Sequence, residues 1–167
     1  MDNNQQYNPN QQYNPNPQYQ YNAPPANGPV PNARPAGQLN TSRGFAKFVV
    51  LSILTLGIYA IVCMSSISND INVIASRYDG RKTMHFCLLA FIVAPLTCGI
   101  GALVWYHNFS ERIGNELSRR GIDYKFGAAD FWLWNTLGTL IIVGPFIYMH
   151  KLFKAMNLLS EHYNNFG

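Results

Sequence analysis

No aspartate, glutamate, lysine or arginine occurs from Phe48 to Asn69, from Thr83 to Ser110, or from Phe131 to His150. These three uncharged windows restrict the possible folds more than any other feature of the chain. A hydrocarbon core about 30 Å thick takes roughly 20 residues of helix, so each window is long enough to cross a bilayer. Burying three such segments on every face inside one small water-soluble domain runs against surface-to-volume scaling. The windows predict an all-α integral membrane protein with three transmembrane helices, over about residues 45–66, 84–106 and 131–150.

The stretch from Met1 to Ser42 has a different chemistry. It holds eight of the ten prolines, all seven glutamines and ten asparagines, with Asp2 and Arg34 as its only charges. The hexapeptide QQYNPN stands at residues 5–10 and again at 11–16. With almost no aliphatic side chain before Val30, this stretch buries too little apolar surface to offset the entropy of ordering, so residues 1–42 are expected to form a disordered tail. Tyr7, Tyr13, Tyr19 and Tyr21, spaced among Gln and Asn, suit weak self-association, although a passive tether is the plainer reading. A cleaved signal peptide would place its apolar run near the start; here the whole polar tail precedes that run, so the first helix is expected to remain.

Charged residues make up only 12% of the chain and the formal net charge is +4. A nucleic-acid binder concentrates its cations in one stripe among aromatics. Here they border the apolar windows instead: Arg43 and Lys47, Arg77, Arg81 and Lys82, Arg119 and Arg120, Lys151 and Lys154. That placement suits lipid headgroups, and the lipid bilayer is the expected partner, with other membrane proteins or further copies of the chain beside it and no nucleic acid. Cys63, Cys87 and Cys98 form no CxxC pair and no histidine stands at ligand spacing, so they read as small packing residues. No HExxH, GxSxG, Walker or Rossmann pattern occurs, and His85, His107 and His150 lie near window edges. The sequence therefore predicts no enzyme, no cofactor and no catalytic, cofactor-binding or metal residue.

Beyond each window the periodicity turns amphipathic. Ile67, Ile71 and Ile74 form one stripe, Phe109, Ile113 and Leu117 a second, and Leu152, Met156 and Leu159 a third. Thr41 or Ser42 is expected to cap the first helix and Asp130 the third. Asp79-Gly80 and Gly121 are expected to end the extensions. Ala90, Ala94, Cys98 and Ala102 put a small residue at every fourth position, which marks the second helix as the centre of the bundle. Pro95 is expected to kink that helix, and Gly144-Pro145 to bend the third. The aromatics of FWLW fall on the same side as Trp105-Tyr106, which makes the second and third helices a pair.

LTLGIYAIVC at residues 54–63 returns as LTCGIGALVW at 96–105. Gly57, Gly99 and Gly144 each precede a short apolar run, and thirteen positions after each comes Asp70, Arg112 or Asn157. Three copies of one unit are implied. If each crosses once, successive units point in opposite directions unless one dips and returns. Counting cations on alternate sides gives seven against five, which favours a cytoplasmic tail and an external C-terminus.

The segments RGFAKFVVLSILTLGIYAIVCMSSISNDIN and APLTCGIGALVWYHNFSERIGNEL, and especially the stretch from Gly127 to Asn164 with its extra alanine at Ala128-Ala129, resemble a bacterial membrane family catalogued as domain of unknown function 4234. The resemblance runs from about Arg43 to Asn164 and departs at Cys63-Met64-Ser65, where the family tends to place aromatics. It implies a small multi-pass protein of the bacterial plasma membrane with no assigned activity and no catalytic residues to carry over. The expected role is structural or interactive. The alternatives are a transporter or channel component, whose polar candidates are Asn135, Thr136, Thr139, Thr55 and Thr97, and an anionic-lipid surface sensor.

Overall fold

The computed structural model describes residues 37–167, so most of the expected tail, with its hexapeptide repeat and tyrosines, lies outside the described residues. Among the described residues there are six helices and no strand. They are α1 (Phe45–Leu54), α2 (Ile58–Asp79), α3 (Phe86–Leu96), α4 (Ile100–Arg119), α5 (residues 128–141) and α6 (Gly144–Phe166). The continuous helices expected over about 45–66, 84–106 and 131–150 are each interrupted. Each window is instead a short helix, a tight turn and the start of a long helix. Among the described residues only α2 is long and apolar enough to cross a bilayer.

The interruptions have local causes. Leu56 and Gly57 take φ of 50° and 90°, Cys98 and Gly99 take 49° and 87°, and these left-handed pairs reverse the chain. Glycine adopts such angles freely, whereas Leu56 and Cys98 each give up about 1–2 kcal/mol. In the third unit Ile142 alone turns left-handed, with φ of 61°. Pro145 then stands in the first turn of α6, where a missing N–H leaves no bond unmade, so Gly144-Pro145 starts a helix and does not bend one. Pro95 acts closer to expectation. Just before it, the Ala94 N–H reaches back five residues to the Leu89 carbonyl and widens the helix.

The three long helices run parallel. Arg120, at the far end of α4, donates to the Ile74 carbonyl near the end of α2 (3.4 Å) and meets His162 Nδ1 near the end of α6 (2.9 Å). All three turns therefore lie at one end of the molecule. Between the helices the stripe residues, Ile67 through Leu159, are each at most 1% exposed and form the core. Each contributes roughly 2 kcal/mol relative to an exposed position. The bundle centre is this α2–α4–α6 seam and not the small-residue face of the second window. Cys98 sits in the turn and is exposed, so Ala90, Ala94, Cys98 and Ala102 do not share a helix.

Each long helix also grips the segment that enters the next hairpin. On α2, the Asn72 side chain accepts from the Thr83 N–H (2.7 Å) and donates to the Thr83 carbonyl (2.8 Å). On α4, Gly114 lies so close to Phe126-Gly127 that a Cβ would strike the Phe126 carbonyl. On α6, Asn157 pairs with the backbone of Arg43 in both directions (3.0 and 3.1 Å), and Asn164 does the same with Leu39 (2.8 and 2.8 Å). Asn157, and not Thr41 or Ser42, organises the entry to α1, whose cap position is Gly44 without a side-chain bond. The ring thus closes from the last helix back onto the first segment. Leu39 and Asn164 share one end of the molecule.

Gly138 and Gly144 let the arms of the third hairpin touch through backbone, and a Cβ on Gly144 would collide with Gly138 and with the Trp134 carbonyl. Backbone cannot swing aside as a side chain does. Gly144→Ala is expected to cost about 1–3 kcal/mol, read as a lower melting temperature in detergent.

Candidate membrane-inserting tips and polar collar

Among the described residues, 21 of the 22 large exposed apolar side chains lie on the hairpins or the first turns of the long helices; Phe166 is the exception. The most exposed is the turn residue Leu56, at 95%, with Leu140 at 86% and Leu96 at 79%. The exposed apolar surface is therefore collected at one end, while the polar bundle occupies the other.

The second tip leaves no backbone N–H looking for water. From Thr97 to Leu103 every N–H is taken: by Val93, Pro95, Ala94 and Thr97 carbonyls in order, then by the Thr97 hydroxyl for Gly101, then by the Gly99 carbonyl twice. The Thr97 hydroxyl in turn donates to the Val93 carbonyl (2.7 Å) and accepts from Gly101 N–H (2.9 Å), which ties the two arms across the turn. Thr55 repeats this arrangement, donating to Leu51 (2.7 Å) and accepting from Tyr59 N–H (2.9 Å). Thr139 donates to the Asn135 carbonyl. Of the threonines named as transport candidates, Thr55 and Thr97 thus close their turns, Thr139 bonds within its own helix, and the Thr136 hydroxyl is buried without a hydrogen-bond partner among the described residues. Thr97→Val, which strands the Gly101 N–H, is expected to cost about 2–4 kcal/mol in bicelles, whereas Thr97→Ser keeps the bond and stays near the parent.

Behind the tips comes a layer of amphipathic aromatics. Trp105 donates its indole N–H to the Met84 carbonyl (2.9 Å), and Trp132, 43% exposed, donates to His107 Nδ1 (3.0 Å). Tyr106 stacks on Phe131 at 5.6 Å, so the expected pairing of these aromatic runs is present. Asp130 reaches back to the Gly127 N–H (3.0 Å) from inside the first turn of α5 and binds Lys151. Lys47, Arg81, Lys82, Lys125 and Lys154 are exposed around this layer.

The polar residues thirteen positions after the glycines separate into two groups. Asp70 and Asn157 meet at Arg43, the first through its side chain and the second through its backbone. Burial raises the Asp70 pKa and lowers that of Arg43 despite their mutual attraction, so desolvation outweighs pairing and the pair fixes position more than it adds stability. Arg112 goes elsewhere: its guanidinium binds Asp79 (2.6 and 3.0 Å), Asn72 (2.6 Å), Thr83 (2.7 Å), Ser76 (3.0 Å) and the Arg81 carbonyl (2.6 Å). Beside it a cavity of about 550 Å³ opens between Lys82, Met84, Trp105 and Arg119. The role of Arg112 is not visible in local pattern, because its partners stand 29 to 40 residues away.

At the far end Glu116, 4% exposed, holds Arg119 and Arg120, and Arg120 faces His162. Burial first, then Arg120 and Arg119, lower the His162 pKa from its usual 6.5. The unfolded chain then takes up the proton more readily, so stability is intact above about 6.5 and declines as pH falls below it. The wild-type melting temperature is expected to fall more steeply from pH 7 to pH 5 than that of His162→Gln. Among the described residues no three His, Cys, Asp or Glu side chains gather as a metal site would require.

Residues 43–115 match the family model described as Domain of unknown function (DUF4234). The match takes in the first two hairpins and stops within α4, short of the extent to Asn164 that the resemblance suggests, and the final stretch lies beyond it. No curated protein and no solved structure matches the chain.

Proposed function

We propose that the protein, whose residues 43–115 match the DUF4234 family model, is a membrane anchor held in one leaflet, its three hairpins dipping into lipid and returning to the side they came from. Its role is structural or interactive: the polar bundle and the segment that precedes it are kept at the membrane surface.

The observation that carries this reading is the closed hydrogen bonding of the second tip, with the same threonine clasp in the first, on tips that are otherwise bare. A loop in water leaves N–H groups to solvent, whereas hydrocarbon tolerates only backbone that satisfies itself. The short arms α1, α3 and α5 measure about 15–21 Å, which reaches to the middle of a core about 30 Å thick. A crossing by α2 would draw Asp70, Asn72 and the Arg43 pair into lipid, at a cost that the dipping arrangement avoids. The collar supports it too, with indoles and exposed lysines where headgroups would lie. A transport role finds little support, since the centre of the bundle is filled by side chains at most 1% exposed and three of the four candidate threonines, Thr55, Thr97 and Thr139, bond their own helices.

Spin labels test the depth. In a chain freed of its own cysteines, Leu56→Cys and Leu140→Cys are expected to report oxygen access without nickel access, near mid-bilayer. Lys82→Cys and Lys125→Cys are expected to report water. Tips that meet water-soluble nickel would end this reading.

A further inference from the structure

We infer that the protein bends the membrane it enters, expanding the leaflet that receives the hairpins so that the surface bulges toward the polar bundle. This rests on the one-leaflet reading above. The argument is one of area. Three hairpins put six helical arms into one leaflet and none into the other. At a helix diameter of about 10 Å each arm takes about 80 Å², so one leaflet gains about 500 Å² without a counterpart.

A flexible insert could relieve that mismatch by lying flat along the interface. This one is stiff. Helices α2, α4 and α6 continue from the exposed tips into the buried seam without a break, so each long arm is one rod fixed at its far end. The short arms are fixed as well. Asn157 and Asn72 hold the segments that enter α1 and α3, and Gly138 touches Gly144 across the third hairpin. Tilting a hairpin to the surface would break these grips or open the core, and the lipid is the softer of the two materials.

The full chain, reconstituted from detergent into small sonicated and large extruded vesicles offered together, tests this. At least roughly a twofold higher protein-to-lipid ratio on the small vesicles is expected, with tubes or buds drawn from the large ones as loading rises. A soluble protein of similar mass tethered to the same lipids by a metal-chelating headgroup controls for crowding and is expected to show neither effect. Equal ratios on both vesicle sizes, with Leu56→Cys labels still deep, would overturn the inference and leave the anchor intact. Chains that fail to float with any vesicle would overturn the anchor itself, and the inference with it.

Discussion

Replacing Leu56, Leu96 and Leu140 together by aspartate is expected to release the chain from membranes while leaving its bundle folded. These are the barest side chains of the three tips, at 95%, 79% and 86% exposed, so they support little of the protein's own packing. In lipid each aspartate costs about 2.5–3.5 kcal/mol, and three together roughly 8–10 kcal/mol. That is enough to reverse partition, and flotation with vesicles reads it directly. Phe166→Asp is the matched control: Phe166 is 70% exposed and apolar, but it lies at the opposite end and is expected to change nothing. A triple variant that floats as the parent does would show that the tips do not face lipid.

Arg112→Met is expected to destabilise the protein by about 2–4 kcal/mol, the loss of several hydrogen bonds to a charged group whose carboxylate partner, Asp79, is itself exposed. The residue is 8% exposed and binds the end of α2, the turn after it and the segment entering α3 at once. Methionine fills the space of the stem but withdraws the guanidinium from all of these groups, leaving Asp79 only the Arg81 N–H and the Arg81 carbonyl only the Ser76 hydroxyl. Arg112→Lys rescues little, because a single ammonium cannot serve groups spread on both sides of a planar fork. Denaturant unfolding in mild detergent measures the loss, and hydrogen exchange at residues 79–84 locates it. A loss within about 0.5 kcal/mol of zero would mean that the network is ornamental.

The stripes are legible in the sequence because burial on a helix repeats every three or four positions, and Ile67, Phe109 and Leu152 with their companions obey that period. Gly80 and Gly121 are legible for a similar local reason: a helix end wants a left-handed residue, and both have positive φ. The hairpins are not. Hydropathy measures the length of an apolar run, and a helix pair folded back on itself has the same length as a crossing. The distinguishing signal is the LTxGI phrase, where a threonine and a left-handed glycine close a turn without water, and its return at Leu96 after Leu54 is the one visible trace. Long-range grips such as Asn157 on Arg43 leave no local pattern, and the cation count over alternate sides assumes an alternation that the parallel bundle does not have.

Sidedness tests the central claim most directly. In a chain carrying Cys63→Ala, Cys87→Ala and Cys98→Ala, single replacements Asn40→Cys, Arg81→Cys, Asp123→Cys and Asn165→Cys mark the entry to the first hairpin, the two connecting segments and the final turn. Treated with an impermeant maleimide before and after the membrane is opened, all four are predicted to react from the same side. A split result, with Asn40→Cys and Asp123→Cys on one face and Arg81→Cys and Asn165→Cys on the other, would contradict the account.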